Sequence, residues 1–119
     1  MDFEIALYRD KNGNVPVKQF LINLGRDQPA LRRLTDGGIS KLRDRRRHGW
    51  PLTRSIGEGL FELRVGHKDI SRVIWFFHSG RKIVLVHGFV KKTDELPRAD
   101  LRIANQRRTD YLRRVGESE

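Results

Sequence analysis

The chain has 119 residues, with 25 Lys plus Arg against 15 Asp plus Glu for a formal net charge of +10, and it has no cysteine. At that length one domain over residues 1–119 is expected; the missing cysteines exclude a disulfide framework and a thiolate zinc site, and no apolar stretch approaches the roughly 18 residues of a membrane span. Positive charge dominated by arginine draws polyanions, either phosphate or acidic protein surfaces, in a salt-dependent way.

The N-terminus runs directly into Asp2-Phe3-Glu4 without a basic and apolar signal, so a cytoplasmic protein is expected. Phe3, Ile5 and Leu7 alternate with Glu4, Ala6 and Tyr8 as in a half-buried strand, which the turn residues Asp10 to Asn14 end. Val17, Phe20, Leu21 and Leu24 then follow helical spacing, with Pro16 near the start and Gly25 past the end, predicting a helix of about two turns or a little more. Asp27 is a candidate cap for a second helix opened by Pro29, striped by Leu31, Leu34, Gly38 and Leu42, and closing near His48-Gly49. Its Gly37-Gly38 pair marks either close packing or a break. Trp50-Pro51-Leu52 and Gly57-Glu58-Gly59 punctuate a loop, and three strands follow at about 60 to 65, 70 to 78 and 82 to 91, the last two forming a hairpin through Ser79-Gly80-Arg81. Pro97 starts a final helix with Leu101, Ala104, Tyr111, Leu112 and Val115 on one side and a wet basic face elsewhere. The predicted class is α+β, ordered β-α-α-β-β-β-α, with the helices packed on a small, mainly antiparallel sheet.

The informative block is Leu60 to Thr93, where cations interrupt strands otherwise rich in Val, Ile, Phe and Trp. Long cationic side chains are costly to bury, so they are expected to surround a surface that binds negative charge. Cleavage of RNA by its own 2′-hydroxyl needs a base, a cationic clamp for the crowded phosphorane and an acid for the leaving oxygen, without a metal. Arg64 and Arg72 suit the clamp, since a guanidinium matches two phosphate oxygens at once. His67, Lys68, His87, Lys91 and Lys92 are candidate proton carriers, and the sequence does not choose among them. Against this stands a structural reading in which Arg64 pairs with Glu62 or Glu58 across the sheet and Arg72 solvates an edge. Replacing either arginine with alanine is expected to remove activity and leave the fold intact.

Other features have plainer readings. His48, His67, His78 and His87 lack the paired spacing of a zinc motif, so no metal is expected; His48 fits a helix C-terminus and His78 a hairpin flank. Arg45, Arg46 and Arg47, together with Arg43, form a basic run that either grips RNA or is a solvated face. Trp75, Phe76, Phe77 and Phe89 read as core, whereas Trp50 beside Pro51 is freer to make a contact. Neither a glycine-flanked serine elbow nor a phosphate loop is present.

Leu60-Phe61-Glu62-Leu63-Arg64, the arginine opening the next aromatic strand at Arg72, and His87-Gly88-Phe89-Val90-Lys91-Lys92-Thr93 before a proline-started helix resemble the phage-derived, HigB-like branch of the RelE/ParE toxin superfamily. The resemblance follows the element order of nearly the whole chain, its specific motif being confined to the last three strands and the start of the last helix. It implies a RelE-like domain that is the toxin of a type II toxin–antitoxin pair: a metal-independent endoribonuclease without cofactor, cutting mRNA on the ribosome and neutralised by a HigA-like helix-turn-helix antitoxin. By position it places Arg64, Lys68, Arg72 and Lys91 at the catalytic surface, with His87 as a further candidate; the basic run supplies Arg45, Arg46 and Arg47, and the cationic block His67 and Lys92, as candidate RNA contacts. Where relatives carry Thr-Pro at the last helix, this chain has Leu96-Pro97, so the cap comes from elsewhere. Tyr111 lies where some relatives have a functional aromatic or histidine, but its place on the apolar stripe favours packing. Two other readings use the same scaffold or charge: a ParE-like inhibitor of DNA gyrase, and a non-catalytic basic nucleic-acid-binding module.

Overall fold

Alternating β-branched and aromatic residues build the centre of the molecule, which a computed structural model describes for residues 2–91 and 97–118. The elements are β1 (Glu4–Leu7), α1 (Pro16–Asp27), α2 (Pro29–Lys41), β2 (Thr53–Gly57), β3 (Leu60–Gly66), β4 (Ile70–His78), β5 (Lys82–Lys91) and α3 (Arg98–Ser118), with a short 3₁₀ turn at Arg45–Arg47. The strands form one sheet in the order β1-β5-β4-β3-β2. Only β1, with Ile5 opposite Ile83, runs parallel to its neighbour; β2 to β5 are antiparallel. The result is an α+β architecture compatible with a RelE-like fold. No helix among the described residues is long and apolar enough to cross a membrane.

Both faces of the sheet are covered. Val17 and Leu42 pack with Leu63, Val73, Trp75, Ile83 and Leu85 on one face, and Ala104 of α3 packs with Tyr8, Leu60, Ile74, Phe76, Val84 and Val86 on the other. That is why β4 carries an unbroken buried run from Ser71 to Phe76, where a sheet with one wet face would alternate. Trp75 lies 4.6 Å from Phe61 in a stacked pair, and its indole N–H donates to Thr53 Oγ1 at 3.2 Å. Phe76 and Trp75 are core, as their strand positions predict, while Phe77 stays partly exposed at the rim.

Several boundaries differ from the sequence reading. Thr53–Gly57, read as loop, is a fifth strand: Thr53 to Ser55 pair with Leu63 to Phe61. Its polar Thr-Arg-Ser core offers little strand signal, and the pairing partner supplies what propensity does not. α1 extends through Gly25 to Asp27, and the residue between the helices is Gln28, without a side-chain cap; Asp27 pairs instead with Arg26 at 2.9 Å. α2 ends at Lys41, earlier than His48-Gly49, and His48 reaches back to the Leu42 carbonyl with Nε2 at 2.6 Å. Gly37-Gly38 does not break the helix. A Cβ at Gly38 would lie 3.1 Å from Val65 Cγ1 and 3.2 Å from Leu63 Cδ1, so the glycine lets α2 sit directly on β3.

One irregularity positions the functional face. The β4–β5 register shifts between Ile74, opposite His87, and Trp75, opposite Leu85, leaving Val86 as an extra residue. A bulge re-aims the side chains that follow it. Consecutive Val86 and His87 therefore both reach the α3 side, one packing in the core beneath the helix and the other bonding to it.

Candidate functional site

Because residues directly opposite on neighbouring strands share a face, the register defines three rows across the sheet. Glu62, Ile74 and His87 form the first; Arg64, Arg72 and Phe89 the second; Gly66, Ile70 and Lys91 the third. All lie on the α3 side, as the packing of Ile74 and Phe89 in that core shows. The turn after Gly66 carries exposed His67 and Lys68. The register thus gathers Arg64, Arg72 and Lys91 at one end of β3, β4 and β5, with Lys68 in the turn that joins β3 to β4 at that end.

Within this group the two arginines differ sharply. Arg72 is fully buried in a central strand, and its Nη1 lies 3.7 Å from Oε2 of Glu62, which is itself fully buried. Glu62 also accepts from Arg54 Nε of β2 at 3.2 Å. One half of the structural alternative raised from sequence is therefore corrected: Arg72 does not solvate an edge but is sealed in the sheet, where it and Arg54 meet Glu62. The glutamate offsets a cross-strand contact between two like charges, Arg64 and Arg72, that would otherwise be repulsive. The expectation that Arg72 tolerates alanine without structural cost is also corrected, because the change removes a large, fully buried side chain and takes from the buried Glu62 one of its arginine partners.

Arg64 occupies the partly exposed position in the same row, its guanidinium 5.6 Å from the ring centroid of Trp50. With Trp50, Pro51, Val65, Gly66 and Ile70 it lines a shallow groove of about 370 Å³ at the sheet edge. Lys68 and Lys91 are exposed nearby in sequence and register.

His87 is held rather than open. Nε2 lies 2.7 Å from Asp100 Oδ1, and Nδ1 lies 3.1 Å from Arg107 Nη1, which also donates to the Val86 carbonyl at 2.9 Å. A guanidinium only donates, so Nδ1 accepts and the proton sits on Nε2, facing the carboxylate. Burial holds the His87 pKa below the usual imidazole value; the Asp100 hydrogen bond opposes this and the positive Arg107 reinforces it. Phe89 stacks beside the ring at 5.4 Å. Both ring nitrogens are engaged, so this histidine ties β5 to α3 and has no lone pair or proton directed at a ligand.

The remaining positions stand away from the rows. Arg45, Arg46 and Arg47 are exposed on the 3₁₀ turn. Asp44 caps this turn, accepting from the Arg46 backbone at 2.9 Å and pairing with its guanidinium at 2.8 Å, which brings the Asp44 pKa down to about 2. Arg46 is thereby engaged locally. Lys92 and the Thr93-to-Leu96 stretch lie outside the described residues. Tyr111 packs edge-on to Phe76 at 5.6 Å, a packing position. His78 meets the same tyrosine ring at 5.0 Å.

Sequence reasoning missed Arg54, Asp100 and Arg107. Asp100 and Arg107 are seven residues apart, which places them on one helix face, and that spacing was available as a signal. Arg54 was hidden by the missed strand. A family model described as phage derived protein Gp49-like (DUF891) matches residues 28–109, from the start of α2 through most of α3, leaving β1 and α1 outside. No curated protein matches the sequence.

Proposed function

The chain belongs to the phage-derived Gp49-like family, and from that premise and the cationic rows we propose that it is the toxin of a type II toxin–antitoxin pair, an endoribonuclease that cuts mRNA on the ribosome. The family is associated with RelE-like toxins. The observation that carries the reading is the in-register Arg64–Arg72 pair with Lys68 and Lys91 at the same end of the sheet. Positive charge concentrated on rigid strands is what stabilisation of a phosphorane requires, since donors fixed in advance need no reorganisation as charge develops.

In this mechanism the 2′-oxygen attacks the adjacent phosphorus and the bond to the 5′-oxygen breaks, leaving a 2′,3′-cyclic phosphate and a 5′-hydroxyl. Arg64 neutralises the non-bridging oxygens. Lys68 and Lys91 flank it as the groups that exchange protons with the 2′-hydroxyl and the 5′-oxygen. Arg72 is a positioning residue beside them: buried and paired with Glu62, it adds positive field and fixes the Arg64 row. His87 is also a positioning residue, locking β5 and hence the Lys91 end of the strand to α3. His67, in the turn beside Lys68, extends the basic surface along which the RNA backbone runs, and a HigA-like antitoxin neutralises the toxin by covering it.

Primer extension on cellular mRNA after brief induction tests this reading. New 5′ ends within coding regions are expected for the wild type and none for Arg64→Gln. A wild type that leaves mRNA intact but traps DNA gyrase in a cleavage assay would assign the scaffold to gyrase inhibition instead. Salt-sensitive RNA binding without either activity would leave a binding module.

A further inference from the structure

Trp50 is 68% exposed, more than any other large apolar side chain among the described residues, and an indole presents a large rigid face for stacking. The chain's other tryptophan, Trp75, is fully buried, so the sequence holds one core indole and one surface indole. The apolar surface around the ring is small: Pro51, Val65 and Ile70 line the groove it shares with Arg64, and none of the other exposed large hydrophobics, Leu7, Ile22, Leu34, Phe77 and Leu112, does. One cation shares the groove with it: the Arg64 guanidinium lies 5.6 Å from its ring centroid, beside Pro51, Val65, Gly66 and Ile70. A groove of about 370 Å³ that pairs one exposed indole with one guanidinium matches a single nucleotide, whose base stacks and whose phosphate pairs, better than it matches a protein surface, which would need a larger contiguous apolar patch.

We propose that Trp50 is a stacking platform for one base of single-stranded RNA, the base adjoining the phosphate that Arg64 neutralises. The inference rests on the RNA-cleaving reading for its substrate class, and it adds a contact that fixes which nucleotide lies at the clamp. The indole packs on the Arg64 guanidinium on one side and offers its remaining surface to the base. Because every base has a π-face, the contact sets register along the strand more than base identity.

The test titrates a labelled single-stranded RNA hexamer into the purified chain, following anisotropy for binding and tryptophan emission for stacking. Trp50→Phe supplies the Trp75 background and keeps an aromatic face. Quenching that saturates with binding is expected in the wild type, with affinity about 10-fold weaker in Trp50→Ala and within about threefold of wild type in Trp50→Phe. Circular dichroism checks that the alanine variant is folded, as its exposed position predicts. Binding without quenching, no binding at all, or undiminished affinity in Trp50→Ala overturns the platform. An emission change that tracks protein concentration without RNA assigns the ring to self-association and overturns it equally. Stacking without mRNA cleavage would keep the subsite and remove the enzyme; cleavage without stacking would do the reverse.

Discussion

At the scale of single residues, two arginines of one sequence motif have different physical roles. Arg72 and Glu62 are both fully buried, and the pair is worth most when judged by what its loss leaves behind. Glu62→Ala is expected to destabilise the fold by about 3 kcal/mol or more, because Arg72 then keeps a buried charge without its carboxylate. Arg64→Gln, at a partly exposed position, is expected to change stability by no more than about 1 kcal/mol while abolishing cleavage. Urea denaturation of the two variants beside the primer-extension assay checks both, and equal destabilisation by the two changes would contradict the division of roles. The cationic cluster was legible from sequence because Arg64, Arg72 and Lys91 sit on long apolar strands whose register follows from short turns. What was not legible is depth. Nothing in the spacing of Arg64 and Arg72 says that one is sealed and its cross-strand neighbour partly exposed, or that Glu62 and Arg54, on a strand hidden from pattern reading, come alongside.

At the scale of elements, β5 carries the adjustments that join the sheet to the helices on both faces. On one side Gly88 gives way to α1: a Cβ there would lie 2.3 Å from Phe20 Cδ2. Gly88→Ala is expected to destabilise by about 1–3 kcal/mol, with part of the loss recovered by also changing Phe20 to Leu, read as urea midpoints. On the other side the bulge at Val86 delivers His87 to Asp100 and Arg107 of α3. His87 is held neutral by burial, and Arg107 on one side and Asp100 on the other complete its charged surroundings. A folded-state pKa below the unfolded one means that the unfolded chain binds more protons between those two values. The contribution is therefore complete above about pH 6.5 and is lost as pH falls toward the folded value. Melting temperature is expected to drop between about pH 7.5 and 5.5, and His87→Asn to flatten that slope. The lowered carboxyls of Asp10, Asp44 and Asp110 act in a separate window, below about pH 4. Helix positions were readable from their apolar spacing, but ends were not: Pro16 and Pro29 mark the starts, while Gly25 and Gly37-Gly38 look like stops and lie within the helices, Gly38 where α2 packs on β3.

At the scale of the whole molecule, a net charge of +10 supplies a long-range attraction that any anionic partner experiences, and the rows on β3, β4 and β5 give it a local destination. RNA affinity is expected to fall steeply with salt, and Arg64→Gln to reduce the slope of log affinity against log salt by about 0.7 if Arg64 makes one phosphate contact with a single strand. An unchanged slope would remove Arg64 from the phosphate path. Charge separates polyanion binding from other functions but not cleavage from mere binding, and the chemistry of the product does. The most direct test is the nature of the new RNA ends formed when the wild-type chain acts on mRNA in a translating extract. Ends that require phosphorylation before they can be ligated, 5′-hydroxyls facing 2′,3′-cyclic phosphates, are expected with wild type and absent with Arg64→Gln. Ends that carry a 5′-phosphate, or no new ends at all, would contradict attack by the 2′-hydroxyl at the Arg64 clamp.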